Sequence, residues 1–209
     1  MIRPRPERMT REDSLDQAMD RYAQGDASAF SLLYAGLEVK LRSFLMRLTG
    51  APPLAEDLLQ ETFMRIHRAR GRFERGGAVI PWAYAIARNV WLDHVRAAKT
   101  RGHRPRDRKD DPPPSGALAS APTGPDADSE QVAIARETAS LVEQVLARLP
   151  AAQREAFVLL RYEGMSVAEA AEVLGSTTSA VKLRAFRAYE ALRAALDQHR
   201  RGQDGSHGA

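Results

Sequence analysis

The 209-residue chain contains no cysteine. Disulfides and thiolate-held metals are therefore excluded, which fits a reducing compartment. Aromatic residues are scarce: 6% of the chain, against 44% hydrophobic residues overall. The expectation is a globular protein with a lean, mostly aliphatic core. No apolar run approaches the roughly 20 residues that carry a helix across a bilayer. The opening MIRPRPERMTRED is basic but has no apolar segment behind it, unlike a secretory signal. There is no glycine-rich phosphate loop, the five histidines are scattered, and no His/Asp/Glu set stands at metal-ligand spacing. These absences argue against an enzyme and against a bound metal or cofactor. A soluble, intracellular, non-catalytic protein is expected. Its formal net charge of +4 allows a nucleic-acid partner without requiring one.

What is present reads as helix. No segment sustains period-two alternation, so strands are not expected. Thr100–Glu130 holds six prolines and almost no large apolar residue. Such a stretch buries too little surface to offset its ordering entropy and is expected to be a linker. The expected organisation is a tail over 1–13, a helical domain over 14–99, the linker over 100–130, a second helical domain over 131–200 and a tail over 201–209. In the first domain Leu15, Met19 and Tyr22 mark one helix, and Asp26 can cap the next. That second helix carries the stripe Phe30, Leu33, Tyr34, Leu37, Leu41, Phe44, Leu45 and Leu48. A third helix from about Pro53 to Arg70 turns Leu58, Thr62, Phe63 and Ile66 inward. A loop over Gly71–Ile80 follows, and Pro81 suits the first turn of a fourth helix bearing Trp82, Ile86, Val90 and Val95. In the second domain Val132–Leu149 and about Ala152–Tyr162 form two helices. The result is an all-α chain of about four helices on each side of a tether.

The stretch SVAEAAEVLGSTTSAVKLRAFRAYEALR, Ser166–Arg193, holds two helices across a very short break. Ser166 and Glu169 fit a capping box. Val167, Ala170, Ala171 and Leu174 face inward, and Gly175 can take the positive φ that ends a helix. Thr177 stands where the next helix wants an N-cap. Ala180, Val181, Leu183 and Phe186 are expected to supply that helix's apolar contacts. A short glycine turn between two such helices is helix-turn-helix geometry, which places the second helix in a DNA major groove. Thr178, Ser179, Lys182, Arg184 and Arg187 are then the candidates for base edges and phosphates. The alternative is that these charges form the solvated side of an amphipathic helix; the coincidence of cap, turn and basic second helix favours DNA.

AEDLLQETFMRIHRARGRF followed by PWAYAIARNVWLDHVRAAKTR resembles region 2 of the sigma-70 family, in its extracytoplasmic-function (ECF) subgroup. GDASAFSLLYAGLEVKLRSFLMRLTG looks like the start of that region. LARLPAAQREAFVLLRYEGMSVAEAAEVLGSTTSAVKLRAFRAYEALR resembles region 4. The resemblance spans nearly everything but the termini and the linker. It implies a promoter-specificity subunit of bacterial RNA polymerase. Region 2 would dock on the β′ clamp helices of the core enzyme and capture the −10 element of promoter DNA. Region 4 would sit on the β flap and read the −35 element. An anti-sigma factor, often membrane-bound in this subgroup, is an implied partner.

Residue by residue, Glu56, Asp57, Gln60 and Glu61 share one face of the third helix at helical spacing. Asp57, Gln60 and Glu61 match positions that face the β′ clamp helices in the family. The alternative is compensation of the helix dipole in a first turn, which would cover Glu56 and Asp57 but not Glu61. On the fourth helix Arg88, Asn89, Trp91 and Arg96 are the −10 candidates. Asn89 could read a base edge, the arginines could hold phosphates, and Trp82, Tyr84 or Trp91 could stack on a base. His94 reads as a surface residue, and the basic run Arg96–Lys109 either contacts nucleic acid or solvates the linker. Ser179, Ala180, Leu183, Ala185 and Phe186 depart from common region 4 residues, so no −35 sequence is transferred. Two rivals are an ordinary helix-turn-helix regulator that binds DNA alone, and a decoy that sequesters an inhibitor of such factors. The acidic face and paired domains argue against the first; the basic residues of the last helix argue against the second.

Overall fold

The computed structural model describes residues 11–100 and 129–206, and among these every regular element is helical. The expected tails largely, and the linker almost wholly, lie outside the described residues, as does the run beyond Thr100.

In the first half, α1 (Arg11–Ala23), α2 (Ala29–Thr49), α3 (Pro52–Ala69) and α4 (Val79–Thr100) pack around a shared core, with a 3-10 turn at Arg70–Arg72. The stripe Leu15, Ala18, Met19 and Tyr22 buries one side of α1 against α2. Asp26 does not cap α2 as expected: Ser28 is the N-cap, with no side-chain cap bond, and the Asp26 carboxylate instead accepts from the Ser28 backbone N–H at 3.0 Å in the turn before the helix. On α2, Leu33, Leu37, Leu41, Phe44, Leu45 and Leu48 are buried, but Tyr34 is not. Its ring lies outside the core, 4.6 Å from that of Phe63. On α3 Leu58, Thr62, Phe63 and Ile66 all turn inward, and the Thr62 hydroxyl donates to the Leu58 carbonyl at 2.6 Å.

The inward side of α4 differs from the expected one. Ala83, Tyr84, Ala87, Val90 and Trp91 are buried, whereas Trp82, Ile86 and Val95 lie at the core's margin. The spacing of 83, 87, 90 and 91 is as helical as that of 82, 86 and 90. Small alanines, which carry little weight in an apolar count, are what let α4 sit close to its neighbours.

The second half contains α5 (Ser129–Arg148), α6 (Ala151–Arg161), α7 (Val167–Leu174) and α8 (Thr178–Ser206). Pro150 separates α5 from α6 as read from sequence. Leu146, Phe157, Ala188 and Leu192 form a small core of α5, α6 and α8. The two halves are not independent bundles. Ala156, Val158, Leu159, Met165, Ala170 and their neighbours join one hydrophobic cluster with α2 and α4. Contacts run from α7 to α4 and from α6 to α2.

Candidate nucleic-acid interface

The helix-turn-helix is built as its sequence dictates. The Ser166 side chain accepts from the Glu169 N–H at 3.2 Å, and Glu169 accepts from the Ser166 N–H at 2.7 Å. This completes the capping box of α7. Gly175 takes φ +56°, ψ +46°, a left-handed conformation that costs glycine no steric strain. The Ser176 N–H then reaches the Ala171 carbonyl at 2.9 Å, closing the turn. Thr177 caps α8 through the Ala180 N–H at 3.2 Å. Val181, Ala185, Ala188 and Leu192 form the inward side of α8.

Thr178, Ser179, Lys182 and Arg187 are exposed, with Arg184 half-buried beside them. Two expected core residues join this outer surface instead: Leu183 is 51% and Phe186 59% exposed. Their spacing from Val181 already pointed that way, because two residues turn a helix through about 200° and five through about 140°. Tyr189 is also exposed, with its ring 5.0 Å from Phe157. Hydroxyls, cations and apolar side chains thus share one helical surface. That mixture can contact phosphates, base edges and thymine methyl groups.

A second basic surface lies between α3 and α4. Arg65, Arg68, Ala69, Arg72, Ile86 and Asn89 line an open groove. Asn89 was found from sequence; the three arginines of α3 and its following turn were not. Arg65 is anchored by two carboxylates, Glu61 at 2.9 Å and Asp93 at 2.6 Å. These bonds raise the Arg65 pKa and lower that of Asp93. Arg96 is exposed, 3.1 Å from Asp93.

Trp91 and Arg88 do not stand where the −10 reading expected them. Trp91 is only 5% exposed, so its ring belongs to the core and is not a stacking platform here. Tyr84 is buried too, and burial beside the Glu163 carboxylate pushes its pKa far above the ordinary tyrosine value. Arg88 is turned toward the second half, its Nε 2.6 Å from Glu155, a carboxylate only 2% exposed. A second cross-link centres on Glu163. It accepts from Arg47 at 3.2 Å and from the Tyr84 hydroxyl at 2.5 Å, while the Arg47 guanidinium lies over the Tyr162 ring. Burial pushes the Glu163 pKa up, opposed by the bonds from Tyr84 and Arg47.

The acidic face of α3 also divides. Asp57 and Gln60 are exposed, and no ion pair among the described residues holds Asp57. Glu56 is bonded to Arg42, which also binds Glu38. Glu61, the acid that dipole compensation did not cover, is engaged by Arg65. Because α3 begins at Pro52, Glu56 and Asp57 lie beyond its first turn. Dipole compensation therefore explains neither well, since the effect fades within one turn.

Among the described residues, no helix is long and apolar enough to cross a membrane, and no group of three or more His, Asp or Glu could hold a metal.

Two helical units, one ending in a helix-turn-helix with a basic second helix, define a two-part initiation factor. Sigma-70 region 2 matches residues 33–101, and sigma-70 region 4 matches residues 139–192. The chain is 34% identical over 180 residues to the RNA polymerase sigma factor CarQ of Myxococcus xanthus, covering 86% of this chain and 96% of that one. It is 34% identical over 182 residues to the ECF sigma factor SigF of Caulobacter vibrioides, covering 87% and 93%. Among solved structures, it is similar to CnrH in complex with the cytosolic domain of CnrY, at TM-score 0.63 and 27% identity over 89% of this chain and 99% of that one. It is also similar to RpoE of Bartonella quintana in complex with the anti-sigma factor NepR, at TM-score 0.61 and 25% identity over 80% and 96%. The chain belongs to the ECF group of the sigma-70 family of RNA polymerase sigma factors. It binds core RNA polymerase and directs promoter recognition and transcription initiation.

Proposed function

We propose that promoter reading is divided between the two basic surfaces, each within its own unit: residues 14–99 and 131–200, joined by the 100–130 linker. On α8, Thr178, Ser179, Lys182, Arg184 and Arg187 contact the −35 element, and Leu183 and Phe186 lie against thymine methyl groups. On α3 and α4, Asn89 reads an edge of the −10 non-template strand. Arg65, Arg68, Arg72 and Arg96 hold its phosphates, and Arg88 joins them once it leaves Glu155. Trp91 supports α4 from within. The loop Gly71–Ala78 borders this surface and guides the strand. Asp57 and Gln60, flanked by Glu56 and Glu61, meet basic residues of the β′ clamp helices, where an exposed acidic face is complementary; region 4 rests on the β flap.

The observation that carries this reading is the completed helix-turn-helix with its outward Ser179, Lys182 and Arg187. The closed arrangement ties up Arg88, so promoter binding requires the halves to separate. An anti-sigma factor, cytosolic or membrane-tethered, holds the closed form in the cytoplasm, a reading supported by similar structures solved with the anti-sigma factor NepR and with the cytosolic domain of CnrY. The factor positions DNA and supplies binding energy; the polymerase performs the chemistry.

The test is binding of reconstituted holoenzyme to promoter fragments carrying single-base changes. Lys182→Ala and Arg187→Ala should cost about 1–3 kcal/mol at individual −35 bases if each reads a base. Asn89→Ala should act only on the −10 strand. Losses spread evenly over every sequence would reduce these residues to phosphate contacts.

A further inference from the structure

Helix α4 starts without a cap of its own. The residues before it, Gly76, Gly77 and Ala78, offer no side-chain acceptor to the free N–H groups of its first turn. The missing acceptor comes from a helix more than 50 residues earlier. Asp16 of α1 accepts from the Val79 N–H, the first residue of α4, at 2.7 Å. One turn along α1, Asp20 accepts from the Gly76 N–H with both oxygens, at 3.0 and 3.3 Å.

The two carboxylates stand at i and i+4, beside the buried stripe that fixes α1 on α2. Their position is therefore rigid relative to the core. The loop they hold is not rigid by composition. Gly76 has φ +74°, and a Cβ on Gly77 would meet the Glu74 carbonyl oxygen at 2.8 Å, so both positions call for glycine. Two adjacent glycines lose more freedom on ordering than other residues. Within the loop the shape is held by Gly77 N–H to Glu74 carbonyl at 2.9 Å, and by the Phe73 ring 5.1 Å from that of Trp82. Asp16 and Asp20 supply the remaining anchors, and α1 lies outside the segment matched by sigma-70 region 2.

We propose that Asp16 and Asp20 are positioning residues for strand capture. They hold the 73–78 loop in its binding shape before DNA arrives, so that the −10 strand meets a surface whose ordering cost has already been met by folding. This rests on the reading of that loop as part of the −10 surface.

The test uses the full chain with core polymerase. Affinity is measured for a duplex carrying the −35 element alone, and for a fork whose single-stranded non-template tail spans the −10 element. Asp16→Ala and Asp20→Ala should each weaken tail-dependent binding about tenfold, the scale of one lost charge-assisted hydrogen bond. The −35 duplex and core polymerase should bind as before. Asp16→Asn and Asp20→Asn, which keep an acceptor oxygen, should restore most of the affinity. The defect should persist on a premelted bubble, because capture rather than melting is impaired. Amide hydrogen exchange at Gly76 and Val79 should accelerate in the alanine variants and not in the asparagine ones. Unchanged tail affinity in both alanine variants overturns the positioning role, as does an equal loss on the −35 duplex. If the wild-type holoenzyme gains nothing from the tail, the −10 reading of the loop fails and the proposal falls with it.

Discussion

Removing the Glu163 carboxylate should separate the two halves without unfolding either. Both of its bonds cross between them: Arg47 and Tyr84 belong to α2 and α4, and Glu163 follows α6. In Glu163→Ala the Tyr84 hydroxyl loses its acceptor in the core. Arg47, whose Nε is already buried without a hydrogen-bond partner, keeps only the Tyr162 ring. Orphaning one member of a buried pair costs about 3–5 kcal/mol. The desolvation that raises the Glu163 pKa offsets part of this, because the variant no longer buries a carboxylate. A net loss of about 2–4 kcal/mol remains, or roughly 30- to 1,000-fold in the ratio of closed to open forms. The absence of cysteine makes the assay direct. Ser31→Cys and Arg193→Cys, both exposed, place one dye on each half, and energy transfer is followed through a urea titration. The separation midpoint should fall in Glu163→Ala with helix content in water unchanged. Arg47→Met with Glu163→Leu and Tyr84→Phe should recover most of the loss, since an apolar trio strands neither a charge nor a hydroxyl. An unmoved midpoint in Glu163→Ala would refute this account of the cross-link.

Three further outcomes follow. Acidification from neutrality toward 4.5 should tighten the closed form: an acid with a raised pKa binds more protons closed than open, so its ionisation opposes closure, and Glu163→Gln should remove that dependence. Asp57→Lys should weaken core-polymerase binding at unchanged thermal stability, whereas Glu61→Lys should also disturb Arg65 and the groove it lines; identical stability effects of the two would contradict the split acidic face. Replacing thymine by uracil in the −35 element removes only methyl groups, so it should weaken wild-type binding severalfold and leave a Leu183→Ala/Phe186→Ala variant indifferent; equal sensitivity in both would exclude methyl contacts.

Local chemistry was legible in the sequence. Ser166 and Glu169, Gly175, Thr177 and Pro150 each act on backbone within a few residues, and each does in the structure what its type predicts. Partners far along the chain were not legible. Arg88 reads as a free cation until Glu155, 67 residues later, is brought against it. Arg65 stands four residues after Glu61, a local pairing open to the sequence, but Asp93 on α4, which completes the bridge, was not. Trp91 could have faced either way, because alanines at 83 and 87 mark the buried side of α4 more weakly than Trp82 and Ile86 mark the other. Leu183 and Phe186 were misplaced for a different reason: they are apolar, but Leu183 lies about 200° around the helix from Val181 and Ala185, and Phe186 about 140° from Val181. The caps from Asp16 and Asp20 left no local signal except the missing acceptor before Val79.

Transcription in vitro tests the central claim most directly. Purified protein and sigma-free core polymerase are incubated with genomic DNA fragments, and transcript 5′ ends are mapped. The account predicts discrete start sites that need this protein, share −10 and −35 elements, and weaken when Asn89 or Lys182 is replaced by alanine. Random initiation equal to that of core polymerase alone, or tight promoter binding by the free chain without any core-dependent transcript, would contradict it.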